Sequence, residues 1–110
     1  MSFKIVYIDD EPDLCEVFRD NFALPDVSIQ TFTDPEQAIQ SMETNPPDLV
    51  FIDFRLPNTS GDKVALRINP AIPKVLLSGD LTLRSFPCFV QTFRKPYDFD
   101  EIEQFIKNYL

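Results

Sequence analysis

Histidine and tryptophan are absent from the 110-residue sequence, and glycine occurs only twice, at Gly61 and Gly79. Without histidine the chain cannot build a Ser-His-Asp triad or a His-based acid–base pair, and it cannot carry a phosphohistidine of its own. Two glycines cannot supply the phosphate-cradling loop that a flavin site needs after its first strand, where this chain has "DDEP". Cysteine is nearly as scarce: Cys15 and Cys88 lie far apart, with no histidine to complete a zinc site, and read as reduced, mostly buried thiols. Positive charge is in deficit, 10 Lys and Arg against 18 Asp and Glu, for a net charge of −8. Such a balance opposes direct binding to nucleic acid or to an anionic membrane, where Lys/Arg clusters provide the affinity. No apolar run approaches the roughly 18–20 residues of a membrane span, and "MSFKIVYIDD" shows no secretory-signal pattern. The expectation is one cytoplasmic domain, residues 1–110, with no room for an output domain.

What is present is alternation. The apolar runs "FKIVYI", "VSIQTF", "DLVFI", "KVLLS" and "FVQTF" read as strands, and helical patterns separate them, so the fold class is α/β with a mainly parallel sheet. The segment "PDLCEVFRDNFA" places Leu14, Val17, Phe18 and Phe22 on one helix face, with Pro12 suited to the first turn. Asp34-Pro35-Glu36-Gln37 reads as an N-cap with a capping-box glutamine, leading into Ala38, Ile39 and Met42. Ile102, Phe105, Ile106 and Tyr109 mark a last amphipathic helix. The third and fourth helices, in "GDKVALRINP" and "DLTLRSFP", are cut short by Pro70 and Pro87 and are expected to be short or irregular.

The strand ends carry the chemistry. The first strand runs into Asp9 and Asp10, the third into Asp53 and the fourth into Ser78, and the fifth is followed by Lys95-Pro96. In an open parallel sheet these ends share one edge, and ligands bind in the crevice outside it. Carboxylates gathered there repel one another, and a cation resolves the repulsion. An oxygen-only cluster with few protein ligands suits Mg²⁺, which often brings a phosphate with it. Lys95 adds a compact positive charge and Ser78 a hydroxyl, so the constellation reads as a phosphoryl-transfer centre with Asp53 as nucleophile. Glu11 reads as a solvent-facing residue that starts the first helix, where negative charge suits the helix dipole.

The motifs "IDDEP", "DLVFIDFRLPNTSG", "VLLSG" and "FRKPYDFDEI", in that order over essentially the whole chain, resemble the receiver domain of two-component response regulators. The resemblance implies a flavodoxin-like (βα)5 three-layer sandwich with a five-stranded parallel sheet of order 2-1-3-4-5. It implies that Asp9 and Asp10 hold Mg²⁺, one directly and one through water, and that Asp53 is both metal ligand and phosphoacceptor. The main-chain carbonyl of Arg55 would complete the protein ligands. Ser78 would bond the phosphoryl group beside Lys95, Pro96 would follow a cis bond, and Pro57 and Gly61 would shape the turn after Asp53. The implied partner is a histidine kinase or histidine phosphotransfer protein, followed by a downstream protein, with a homodimer as a further possibility.

The sequence also departs from that pattern. Receivers carry an aromatic residue three positions before the lysine, but here Thr92 stands there, with Phe93 one place later on the opposite strand face. A degenerate receiver that acts as a phosphorylation-independent interaction module is therefore the alternative. An aspartate-dependent phosphohydrolase would want a second aspartate two residues after the nucleophile, where Arg55 stands. Arg55 and Asp80, of opposite charge at the mouth of the site, suggest a long-lived phosphorylated state.

Overall fold

The computed structural model describes residues 2–79 and 86–110. Asp80 and most of the expected fourth helix lie outside the described residues. β1 (Phe3–Ile8), β2 (Val27–Phe32), β3 (Leu49–Asp53), β6 (Lys74–Ser78) and β7 (Gln91–Arg94) form one parallel sheet in the order β2-β1-β3-β6-β7. That is the expected 2-1-3-4-5 order. The short strands β4 (Arg55–Leu56) and β5 (Thr59–Ser60) form a separate antiparallel hairpin. Pro57 and Asn58 make its turn, and Asn58 takes the positive φ of 61°. Proline followed by a positive-φ asparagine is the pattern of a type II turn.

Every residue of β3 and β6 is buried, so these central strands read as continuous apolar runs, as parallel strands covered on both faces do. The strand period of two divides the core. Ile5, Tyr7, Leu49, Phe51, Val75, Leu77 and Phe93 pack against α1 (Pro12–Asn21) and α4 (Phe99–Lys107). Val6, Ile8, Val50 and Ile52 pack against α2 (Pro35–Thr44) and α3 (Gly61–Ala65). The result is the expected three layers. α3 has only 5 residues, which bears out the short third helix.

Helix α1 corrects one expectation. Its buried residues are Cys15 and Phe18, with Phe22 just beyond its end, while Val17 is exposed. Helix geometry explains this: at about 100° per residue, Val17 lies about 100° from Phe18, whereas Cys15 and Phe22 fall within about 60° on the other side. Phe18 stacks on Tyr7 at 4.2 Å and meets Phe22 at 4.7 Å and Phe51 at 4.9 Å, tying α1 to β1 and β3. Full burial of one such ring stabilises the fold by about 2–3 kcal/mol. In α2, Asp34 caps the helix by accepting the Glu36 N–H at 3.0 Å, and Ala38, Ile39 and Met42 are buried as expected. In α4, Ile102 and Ile106 are buried, whereas Tyr109 lies past the helix end and is exposed.

Lys74 opens β6 almost fully buried, which sequence reasoning missed. Its ammonium donates to the carbonyls of Asn69 and Ile72, both at 2.9 Å, and so caps the turn that leads into the strand. Burial pulls its pKa down.

Candidate functional site

The sheet delivers the expected residues to one edge. Asp9 follows β1, Asp53 ends β3, Ser78 ends β6 and Lys95 follows β7, so four parallel strands point their carboxyl ends at one cleft. The cleft, of about 370 Å³, is lined by Asp10, Glu11, Asp53, Phe54, Arg55, Ser78, Gly79 and Lys95. It sits beside the reversal of strand order between β1 and β3, where open α/β sheets bind their ligands. Arg55 reaches the mouth of this cleft from the hairpin strand β4.

Asp9 and Asp10 are not equivalent. Asp9 continues the inward-facing series Ile5, Tyr7 and is fully buried, whereas Asp10 is exposed in the cleft. Ligand atoms of Asp9, Asp10 and Asp53 all lie within 4.8 Å of one another, a cluster able to hold a metal ion. The Glu11 N–H donates to Asp9 Oδ1 at 3.1 Å as the chain enters α1. Glu11 itself is an exposed N-cap residue without a side-chain cap bond, so it launches the helix rather than joining the cluster.

Lys95 is the cation among these carboxylates. Its Nζ lies 2.7 Å from Asp53 Oδ1 and 3.3 Å from Asp9 Oδ2. The Lys95–Pro96 peptide bond is cis, as expected, and the Lys95 N–H donates to the Ser78 carbonyl at 2.8 Å. Burial works against the ammonium, but Asp53, Tyr97 and Asp9 outweigh it and hold its pKa above the usual lysine range. Asp53 is pushed up to about 6, first by burial and then by Asp9 and Asp10, against the opposing pull of Lys95. One ammonium stands against three clustered carboxylates. This residual excess, in an all-oxygen donor set, fits a hard divalent cation.

Two residues that sequence reasoning did not single out sit beneath Asp9. The Tyr7 hydroxyl donates to Asp9 Oδ2 at 2.9 Å and lies 2.8 Å from the Tyr97 hydroxyl. Burial drives the Tyr7 pKa far above the usual phenol range and pushes Tyr97 up to about 12, so both stay protonated donors. Part of the signal was present in the strand period, since Tyr7 is two residues before Asp9, whereas Tyr97 lies beyond the end of β7 at Arg94, where no strand period applies. Cys15 also touches this region, its buried thiol donating to the Asp9 carbonyl at 3.4 Å. Its pKa is raised, chiefly by burial.

Gly61 fixes the loop after Asp53. Its N–H donates to the Phe54 carbonyl at 2.8 Å, and a Cβ on it would stand 2.6 Å from the Asp53 carbonyl oxygen. Backbone on the other side cannot swing away as a flexible side chain would. Gly61→Ala is expected to cost about 1–3 kcal/mol by overpacking, read as a lower urea midpoint. An unchanged midpoint would show that the loop yields.

Thr92 is exposed on β7, while Phe93 is buried and meets Phe105 edge-on at 5.5 Å. The aromatic expected three residues before the lysine is thus absent, and Phe93 does not replace it, because the strand period turns it into the α1/α4 layer. On the other side of Asp53, Phe54 stacks on Phe86 at 6.0 Å, and Phe86 meets Phe89 at 6.4 Å.

Known proteins are similar to this chain in sequence and in fold. Sporulation initiation phosphotransferase F of Bacillus subtilis is 26% identical over 118 residues, covering 100% of this chain and 95% of that protein. The crystal structure of the response regulator protein TrrA from Thermotoga maritima, in complex with Mg²⁺-BeF, is 27% identical with a TM-score of 0.86, each chain covered in full. The alkaline phosphatase synthesis transcriptional regulatory protein PhoP of Bacillus subtilis is 31% identical over 68 residues, 62% of this chain but 28% of that protein. The chain thus spans about a quarter to a third of the length of several curated relatives that it matches. No helix among the described residues is long and apolar enough to cross a membrane. With residues 5–83 matched by the response regulator receiver domain, the chain belongs to that family.

Proposed function

We propose that Asp53 accepts a phosphoryl group from a phosphohistidine of a histidine kinase or histidine phosphotransfer protein, and that the phosphorylated domain signals by contact with a downstream protein. The observation that carries this reading is the Lys95 ammonium 2.7 Å from Asp53 Oδ1, inside a cluster that also holds Asp9 and Asp10. An Asp53 carboxylate oxygen attacks phosphorus in line. The O–P bond forms as the N–P bond to the partner's imidazole breaks, and the imidazole keeps the electron pair and takes up a proton. With its pKa near 6, Asp53 is mostly ionised at neutral pH and available as the nucleophile.

Asp9, Asp10, Asp53 and the Arg55 main-chain carbonyl would hold Mg²⁺, as the Mg²⁺-BeF complex of TrrA supports. When bound, the ion supplies charge neutralisation and a template for the phosphoryl oxygens. Lys95, already paired with Asp53, follows the charge onto a phosphoryl oxygen, and the Ser78 hydroxyl at the end of β6 donates to another. Cytoplasmic location, a possible homodimer and absence of direct nucleic-acid binding belong to the same reading, the last supported by the net charge of −8.

Intact-mass measurement after incubation with acetyl phosphate and Mg²⁺ tests it. Wild type is expected to gain one phosphoryl group and Asp53→Asn none. A wild type that gains nothing, with slow reaction and rapid hydrolysis excluded by a time course, would favour the phosphorylation-independent interaction module, which the exposed Thr92 already supports.

A further inference from the structure

One ammonium serves two carboxylates at this edge, and it is shared unequally. Lys95 Nζ stands 2.7 Å from Asp53 Oδ1 but 3.3 Å from Asp9 Oδ2, although Asp9 is the more deeply buried of the two and is closed to solvent. Burial alone would give the ammonium to Asp9, the carboxylate with the greater need of a partner. A second donor on the same oxygen reverses that order. The Tyr7 hydroxyl donates to Asp9 Oδ2 at 2.9 Å, and since its one proton is engaged there, the 2.8 Å contact with Tyr97 has Tyr97 as donor. The sequence of donors, Tyr97 to Tyr7 to Asp9, ends on the oxygen that Lys95 also meets, and each bond polarises the next. The Tyr7 ring cannot turn its hydroxyl elsewhere, since it is fully buried and stacked on Phe18 at 4.2 Å.

We propose that Tyr7, supported by Tyr97, sets how the ammonium is divided: its hydroxyl proton partly satisfies Asp9 Oδ2 and so leaves Lys95 directed at Asp53, where phosphoryl transfer needs it. The inference rests on the phosphoacceptor reading given under Proposed function. Lys95 is able to respond, because its backbone is fixed by the N–H bond to the Ser78 carbonyl while its side chain stays 24% exposed in the cleft. Without the Tyr7 proton, the uncompensated charge on Oδ2 draws Nζ inward along the contact it already has. It need not enter the space that the hydroxyl vacates. Lys95 then stands farther from Asp53 and from a phosphoryl oxygen carried there. Tyr7 and Tyr97 are positioning residues that act through Asp9 on Lys95.

Two measurements test this. The first needs neither metal nor turnover: in a crystal structure of metal-free Tyr7→Phe, Nζ is expected closer to Asp9 Oδ2 than to Asp53 Oδ1, the reverse of the present order. The second is the rate of phosphorylation by acetyl phosphate at saturating Mg²⁺, read by intact mass, with Lys95 in place and in the Lys95→Met background. With Lys95 in place, Tyr7→Phe is expected to slow the reaction about tenfold, within the roughly hundredfold that a misplacement of about 1 Å costs. In Lys95→Met it is expected to change the rate by less than about twofold, since the group it positions is gone. A purely structural role would lower both rates by the same factor. An unchanged order of distances, a rate within about twofold of wild type, or equal losses in the two backgrounds overturns the proposal while Asp53 remains the phosphoacceptor. Where Lys95→Met reacts too slowly to time, affinity for beryllofluoride at saturating Mg²⁺ completes the same cycle. Wild type that gains no phosphoryl group overturns the proposal together with the reading it rests on. If the single variant fails to fold, Tyr7→Phe/Tyr97→Phe carries the test, because it replaces two bonded hydroxyls with two apolar rings and strands neither.

Discussion

Asp53→Asn makes the metal-free protein more stable at pH 7, by about 1–3 kcal/mol, although it removes an ion pair. The sign follows from the direction of the shift. Asp53 is raised from 3.8 to about 6 in the folded state, chiefly by burial. Below about pH 4 the group is protonated in folded and unfolded chains alike, and it carries no penalty. Between about pH 4 and 6 the unfolded chain ionises first, so folding is progressively disfavoured as pH rises. Above pH 6 the folded carboxylate is ionised and its whole penalty is present. Asparagine has nothing to ionise, so the advantage of the variant grows through that window and then levels. Urea midpoints from pH 4 to 7 in chelator give the curve, and midpoints with Mg²⁺ give its reversal, since wild type then gains by ligand linkage and the variant gains much less. Parallel curves for the two proteins without metal would refute the account.

That burial of a carboxylate among its neighbours was legible in the sequence only in part. The five main strands were readable from their sequence patterns, three of them residue for residue: β1 and β6 from runs that are mostly buried, and the edge strand β2 from its alternation of half-buried and exposed residues. The gathering of Asp9, Asp10, Asp53, Ser78 and Lys95 was readable too, because parallel strands of similar length must end on one edge. What the alternation of β1 does to its two aspartates was less apparent. It turns Asp9 into the protein and leaves Asp10 in the cleft, so adjacent identical residues have different donors and different exposure. The Tyr97–Tyr7 pair escaped because it joins residues 90 positions apart, and an aromatic in a strand reads as core until its hydroxyl is seen to have a partner. Val17 was misplaced because a stripe drawn by 3–4 spacing tolerates residues on its margin, where a few tens of degrees decide burial. Lys74 was missed because a lysine at a strand start looks solvated unless the carbonyls that receive it are known.

Lys95→Met should act in the opposite direction to Asp53→Asn. Methionine keeps the length of the stem and removes the ammonium, leaving Asp9 and Asp53 buried without their shared cation. Breaking a buried pair by deleting one partner costs about 3–5 kcal/mol, and because the Lys95 side chain is 24% exposed the loss here should be nearer 2–4. The Asp53 pKa should rise further, since the pull of Lys95 is what now holds it down. The two substitutions also test each other. If the lysine matters because it neutralises Asp53, then Asp53→Asn in the Lys95→Met background removes the charge left stranded and restores much of the loss. If it matters through packing of its stem over Tyr97, whose ring centroid lies 5.8 Å from Nζ, the restoration does not occur. A double-mutant cycle in chelator at pH 7 separates the cases. A coupling of about 1–3 kcal/mol in favour of the double variant is expected for groups in direct contact, and additivity within a few tenths would mean that the 2.7 Å pair contributes geometry to the site and little free energy.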